Sequence, residues 1–527
     1  MVVKVQDRDQ NHVPICPSHS AGTEACPIEK GLPLSRGTSP RARRASPVPI
    51  GDPDVISVQF RRPQESRFAL PPAPPGSPLW QQWDAALDLD HPARLIDAFV
   101  DGLDRTPLLA SYLGVGSKAN NPDLMLKIAL YETSQGRLSP AQWARDVRDS
   151  NALQWLAQGI KPSRSALYNF RDRLSEPVFE LHADAIRQAI DEGLTPAEKA
   201  VLDGTSVRSC ASRHQLVNED KLTKRLQELN AAVEKDAVRQ PIESAPYWMA
   251  ATPSGRQAQL ERYRRACGEL ADRLATNQER PKDKQLPRDK VKVSITDPEA
   301  PLGKDKEKVF CPMYTAAFVV DTASLLILSF DIFSQVTDAG TLAPMLDRTQ
   351  EVIGAWLIQI STDAGYVSLL DLQDCQERNV RLVGPVGEND FTEQKRAQAG
   401  PARIGKDQFE WLPEEQTYRC PEGHRLTYKG KEKKDRRDDK TVNQYRFHCP
   451  AEHCRGCPLR ERCVQDPEKG RTVKRLEGEE IIEAHKEWMQ TEEAKAANRL
   501  RGSVIERCFG DAKRHRNVRC LHGRGLK

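Results

Sequence analysis

Lys199-Ala200-Val201-Leu202-Asp203-Gly204-Thr205 decides how the rest of the chain is read. It has the pattern of a short apolar strand ending in a carboxylate, followed at once by a turn glycine. Trp356-Leu357-Ile358-Gln359-Ile360-Ser361-Thr362-Asp363-Ala364-Gly365-Tyr366 repeats the design. A third carboxylate, Glu506, lies in the basic segment Arg501–Lys513. A carboxylate leaving a buried strand stands where a sheet meets solvent, so two neighbouring strands can aim a pair at one point. Three such groups repel each other unless a divalent cation neutralises them. Mg²⁺, a hard ion that takes oxygen ligands and shares its shell with phosphates, suits that arrangement. Asp203, Asp363 and Glu506 are therefore the expected Mg²⁺ site.

Outward from this stretch the signals alternate. Strands are expected at Tyr314–Val320 and Ser324–Phe330, joined around Asp321-Thr322-Ala323. A helix is expected from Asp338 to Ile353, then the Asp363 strand, a further helix, and a strand over Val380–Pro385. The order implies a mixed α/β sheet. Between the first strand and the hairpin lies a charged helical insertion, residues 219–290. Leu222, Leu226, Leu229 and Val233 form one of its stripes, and Leu260, Tyr263, Cys267, Leu270 and Leu274 the other. A helical hairpin packed on itself is the plainest structure for it.

Ahead of the sheet, residues 1–78 are rich in Pro, Ser and Arg and read as a disordered tail. Residues 79–195 read as helical. Leu124, Ile128 and Tyr131 share a face, and Ser139-Pro140 has helix-start chemistry. The last helix, from about Ser163, turns Leu167, Phe170 and Leu174 inward and sets Arg164, Tyr168 and Arg171 outward. A basic helix after the Gly159 turn resembles the DNA-reading helix of a helix-turn-helix, although a solvated bundle face has the same pattern. The whole divides into a tail (1–78), a helical domain (79–195), a first core segment (196–400), a cysteine-rich insertion (401–478) and a second core segment (479–527).

At 527 residues the chain is too long for one core. Its net charge of +4 is unevenly spread: residues 501–527 hold eight Lys/Arg against Glu506 and Asp511 alone. A basic excess beside acidic candidates suits a phosphate-bearing polymer. The most apolar stretch, Thr315–Phe333, is broken by Asp321 and Asp331, so no membrane span is expected. Without an apolar signal core at the start, the protein reads as cytoplasmic, and its 13 cysteines as thiols or metal ligands rather than disulfides.

Five of those cysteines, Cys420, Cys449, Cys454, Cys457 and Cys463, fall in one segment with His424. Thiolates on a two-stranded hairpin can hold structural Zn²⁺ and stabilise a module too small for its own core. The Cys449-x4-Cys454-x2-Cys457 spacing also fits an iron–sulfur pattern, but the hairpin and His424 favour a zinc ribbon.

Each acid has a local explanation as well. Asp203-Gly204 and Asp363-Ala364-Gly365 are turn formers, and Ser503-Val-Ile-Glu506 is a capping-box pattern. Against the last stands the wider helix, whose apolar stripe of Ile505, Cys508, Phe509 and Ala512 leaves Glu506, Gly510 and Lys513 on a neighbouring face. Gly510 would let a backbone come close, and Lys513 and Arg501 could hold phosphates.

Together, Leu202-Asp203-Gly204-Thr205, Ala211-Ser-Arg-His214, Ser361-Thr362-Asp363-Ala364-Gly365-Tyr366 and Ile505-Glu506-Arg-Cys-Phe509-Gly-Asp-Ala-Lys513 resemble the DDE-class transposases of bacterial insertion sequences. Ser134–Pro140 and Ser163–Arg173 resemble the same family, so the likeness runs from about Trp80 onward. It implies a helical N-terminal domain, an RNase H-like core, and Asp203, Asp363 and Glu506 as the metal-binding triad, with Lys513 as the lysine that follows the family's glutamate. It also implies two Mg²⁺ about 3.5–4 Å apart, water attack at the element end, and attack of the freed 3′-OH on target DNA. The partners implied are double-stranded DNA and a second copy of the chain. One signature departs: an arginine four residues before the glutamate is replaced by Gly502, with Arg501 beside it. The chain stops just after His522-Gly-Arg-Gly-Leu, where relatives often continue through further helices. The alternatives are a truncated or domesticated DNA-binding protein without catalysis, and another RNase H-like nuclease.

Overall fold

The structure, a computed structural model, describes residues 67–114, 116–242, 244–305, 308–386, 404–435, 441–464 and 468–525. Strand β1 (Lys199–Arg208) is the axis of a six-stranded sheet. On one side it pairs antiparallel with β3 (Phe310–Asp321), Leu202 opposite Val319. In turn β3 pairs antiparallel with β4 (Ile327–Phe333) and with the short β2 (Leu302–Lys304). On its other side β1 runs parallel to β5 (Gln359–Ser361), and β5 parallel to β6 (Arg381–Val383). Three antiparallel strands continued by two parallel ones about β1 make a mixed α/β sheet consistent with an RNase H-like core.

Two of the strands run further than the sequence pattern suggests. Asp203 is mid-strand: β1 continues through Gly204, paired with Ala317, as far as Arg208. Likewise β3 extends to Asp321, so the connection to β4 runs through residues 322–326 and is held by the Asp321 carboxylate, which accepts from Ser324 N at 2.7 Å. Backbone pairing with a long neighbour overrides the local turn chemistry of Asp-Gly.

The sheet is covered on both faces. Leu202, Ala317, Val319 and Ile360 pack with Leu342, Met345 and Leu346 of helix Leu342–Ile353 in the main core. That helix starts at Leu342 rather than Asp338. On the opposite face Val201 and Val320 meet Val504 and Ile505 of helix Glu492–Gly510, with Phe509 over Phe318. Each buried aliphatic side chain contributes roughly 1.5–3 kcal/mol, so the four-residue contact is enough to fix that helix on the sheet.

The N-terminal region is helical, as expected. Leu124, Ile128, Leu153, Leu167 and Phe170 are buried together, and Ser163 caps helix Arg164–Arg173 by accepting from Ala166 N. Ser139 precedes Pro140 at a helix start, although its side chain makes no capping bond. Most of the expected disordered tail lies outside the described residues. Its end does not fit the expectation: Phe68 bridges to Ala119, and Ala73 is fully buried beside Trp83.

Helices Glu219–Ala237 and Pro253–Glu279 form the hairpin insertion, closed by Leu222, Leu229, Leu260, Tyr263 and Leu270 and by an Arg256–Asp236 pair at 2.5 Å.

The cysteine-rich segment comprises a hairpin of β7 (Glu410–Leu412) and β8 (Thr417–Arg419) and a sheet of β9 (Thr427–Asp435), β10 (Thr441–Cys449) and β11 (Arg471–Leu476). Contrary to expectation it has its own core. Trp411, Tyr418 and Phe447 pack ring on ring, closed by Ile404, Phe409, Leu426 and Val473. The Arg475 guanidinium stacks 4.1 Å from the Trp411 ring.

Candidate functional site

The register of β1 and β5 builds the site. Val201 lies level with Ser361, the last residue of β5, so two residues further on Asp203 and Asp363 come level with each other. Among the described residues that edge of β1 is unpaired from Asp203 until Arg208, where residues 519–521 bridge to it. Alternation puts Asp203 on the face of Val201, under helix Glu492–Gly510. Asp363 starts a tight turn, its Oδ1 accepting from Gly365 N at 2.8 Å, so the turn-forming role and the placement beside Asp203 coexist.

Burial pushes the Asp203 carboxyl up to about 6; its own bond from Gly204 N and Arg501 oppose the shift, and the charges of Asp363 and Asp338 add to it. The Arg501 Nη1 stands 4.0 Å from Asp203 Oδ2 and does not overcome the desolvation. Lys513 Nζ donates to Thr205 Oγ1 and, at 3.2 Å, to the Ser206 carbonyl. Asp203 and Thr205 are alternate residues of one strand, so the two basic groups lie along the same face of β1.

Glu506 is exposed on helix Glu492–Gly510, one residue past the buried Ile505. The capping-box explanation for it fails. Ser503 lies deep inside the helix, which is capped by Thr491, and its Oγ donates back to the Leu500 carbonyl. A Cβ on Gly510 would meet no described atom within 4 Å, so the space over it is open and no described part of this chain makes the close approach. Among the described residues no three His, Cys, Asp or Glu side chains converge closely enough to hold a metal ion in this arrangement.

One carboxylate was missed. Asp338 lies in the loop between β4 and helix Leu342–Ile353, where the sequence pattern places the first turn of the helix. A Cβ on Gly204 would lie 2.0 Å from its Oδ1, so Asp338 rests directly on the β1 backbone next to Asp203. The signal was present: Asp338-Ala339-Gly340 repeats Asp363-Ala364-Gly365.

The cysteines do gather. Cys420, Cys449, Cys454, Cys457 and Cys463 line one small cavity with His424 and His453, whose rings stack 4.4 Å apart. Burial and the neighbouring thiols push the Cys449 thiol up to about 12. Neither the zinc-ribbon nor the iron–sulfur expectation finds support among the described residues.

On helix Arg164–Arg173, Tyr168 lies between the guanidinium groups of Arg164 and Arg171, 5.6 and 5.1 Å from its ring. Arg164 is exposed, whereas Arg171 is engaged with Asp172 and with the carbonyl of His522.

Residues 81–173 match the model of a transposase domain, and residues 419–527 that of a transposase DDE domain. Both matches support a DDE-type transposase of the insertion-sequence type. No curated protein and no solved structure matches it. Members of the family use divalent metal ions and act on DNA. The DDE match takes in Arg501, Glu506 and Lys513, and the other takes in Arg164, Tyr168 and Arg171. Among the described residues no helix is long and apolar enough to cross a membrane.

Proposed function

We propose that this transposase cuts DNA at the ends of an insertion sequence and joins the freed ends to target DNA. In this reading β1 and its flanking strands are an RNase H-like catalytic core, and Asp203, Asp363 and Glu506 hold Mg²⁺. The observation that carries it is the level placement of Asp203 and Asp363 at the unpaired edge of β1, under the helix that bears Glu506. Oxygen donors alone, one of them desolvated enough to hold its proton up to about pH 6, are a donor set suited to a hard divalent cation. When bound, such ions would activate the attacking oxygen and stabilise the leaving oxygen in phosphodiester displacement.

The protein's own groups bind and orient. Arg501, beside Asp203, and Lys513, bonded to Thr205 on the same strand face, would seat phosphates of the DNA near the scissile bond. Helix Arg164–Arg173 would engage the element end, with Arg164 and Tyr168 presented to DNA. Two ends must be brought together for joining, so a homodimer is the expected active form.

Purified protein incubated with labelled element ends, Mg²⁺ and a target plasmid tests the reading. Strand-transfer product is expected. Asp203→Ala, Asp363→Ala and Glu506→Ala should each abolish cleavage while still shifting the labelled DNA. A variant that cleaves at the wild-type rate removes that residue from the site. Cleavage without joining would indicate a nuclease, and shifted but intact DNA a binding protein.

A further inference from the structure

We propose that the cavity between the helical insertion and the C-terminal segment binds an unpaired nucleotide of a DNA strand. Its base would stack on Tyr247 and Trp248, and its phosphates would sit on Lys221, Arg225, Arg262 and Arg524. The choice of DNA as ligand rests on the transposase reading, and the ion site plays no part in it.

The cavity, about 470 Å³, falls within the size range of ligand sites, roughly 300–1,000 Å³. The helices around it, Glu219–Ala237 and Pro253–Glu279, are rich in acids, yet no carboxylate lines it. Lys221 and Arg225 share a face of the first helix, four residues apart, and Arg262 lies on the second. Arg524 comes from the C-terminal segment, where Leu521 N donates to the Arg208 carbonyl and Gly525 N to Asp297 Oδ1. Among the described residues none of these four cations makes an ion pair. Like charges gathered without a counter-charge repel each other and attract a polyanion.

The aromatic part is held in place by a buried amide. Gln259 accepts from Ala250 N at 2.8 Å and donates to the Trp248 carbonyl at 2.8 Å, which pins the segment presenting Tyr247 and Trp248. Arg225 lies 4.8 Å from the Trp248 ring and donates to the Tyr263 hydroxyl at 3.1 Å, so its guanidinium is fixed without a carboxylate. Tyr247 is 96% exposed at the cavity, and its ring stacks on no other among the described residues. Aromatic faces beside cations suit a base and its phosphates. In a duplex both faces of a base are covered by its neighbours, so only an unpaired one can use these rings. The position fits DNA at the proposed site, since His214 in the cavity wall follows a few residues after Arg208, the end of the strand that carries Asp203.

Fluorescence anisotropy of labelled DNA with the full-length protein, in chelator so that no cleavage occurs, tests the inference. One probe is a single-stranded oligonucleotide and the other its fully paired duplex. Tyr247→Ala should weaken single-strand binding roughly tenfold while leaving duplex binding unchanged, and Tyr247→Phe should bind as wild type. Arg262→Ala should weaken single-strand binding and lower its salt slope by about 0.7. Circular dichroism checks that the variants are folded. Wild-type single-strand affinity in folded Tyr247→Ala overturns the inference. So does an equal loss for the duplex, which would make the cavity a phosphate surface without a base site. Displacement of the oligonucleotide by deoxyadenosine monophosphate at equal nucleotide concentration would indicate a free-nucleotide site, and displacement by poly-glutamate an acidic-peptide site; either overturns it. If the wild type binds duplex but no single strand, this site alone falls. If it binds neither, the DNA reading falls as well.

Discussion

At the scale of single residues, the site stores unfavourable energy. Asp203 has a folded pKa of about 6 against 3.8 for the ordinary group, mainly because it is buried. Between those values the folded protein holds a proton that the unfolded chain releases, so stability falls as pH rises through the window and the full penalty applies above it. A shift of this size corresponds to a penalty on the order of 2–3 kcal/mol. In chelator at pH 8, Asp203→Asn should therefore be more stable than wild type by about 2 kcal/mol, measured by urea denaturation. The gain should shrink below pH 6 and vanish near pH 4. Added Mg²⁺ should stabilise the wild type more than the variant. If the variant is less stable at pH 8, the Asp203 carboxylate is held by attraction rather than strained by burial.

At the scale of elements, legibility followed the reach of the forces. The strands and the Glu506 helix were readable because their apolar residues recur with the right period. The exact ends were not, because pairing with the long β3 carries β1 past Asp203-Gly204. Asp338 was hidden for a similar reason, since a helix pattern absorbs a nearby acid that the loop in fact releases. The aromatic core of the cysteine module was obscured by its cysteines, although Trp411, Tyr418 and Phe447 were there to be read. The helix proposed to engage DNA divides along these lines too. Arg164 is exposed against Tyr168, while Arg171 is tied to the His522 carbonyl. Arg164→Ala should weaken DNA binding and reduce the salt dependence of log K by about one phosphate contact. Arg171→Ala should lower thermal stability as well. A mobility-shift titration at several salt concentrations checks this, and an unchanged slope for Arg164→Ala would remove that residue from the phosphate contacts.

At the scale of the molecule, residues 511–525 act as a strap that sequence periodicity could not reveal, because it is held by single hydrogen bonds rather than by a periodic apolar face. Arg208 N donates to the Arg519 carbonyl and Leu521 N to the Arg208 carbonyl, which extends the β1 end. Gly525 N donates to Asp297 Oδ1 at 3.1 Å. Arg516 donates to the Ser134 carbonyl in the helical region, and the His515 carbonyl lies where a Cβ on Gly136 would be, 2.6 Å away. The strap thus joins the N-terminal helical region to the strand that carries Asp203, and Lys513 lies on it. Gly136 has φ +72° besides the close carbonyl, so Gly136→Ala should cost roughly 1–3 kcal/mol. Arg516→Ala should cost less. Since both act on one contact, the double variant should lose less than the sum of the two, whereas independent sites would add. Urea denaturation of the four proteins measures the coupling. If the strap also aligns DNA with the site, each variant should lose end cleavage at salt concentrations where it still binds ends. Strict additivity together with wild-type cleavage would mean that the strap only decorates the surface.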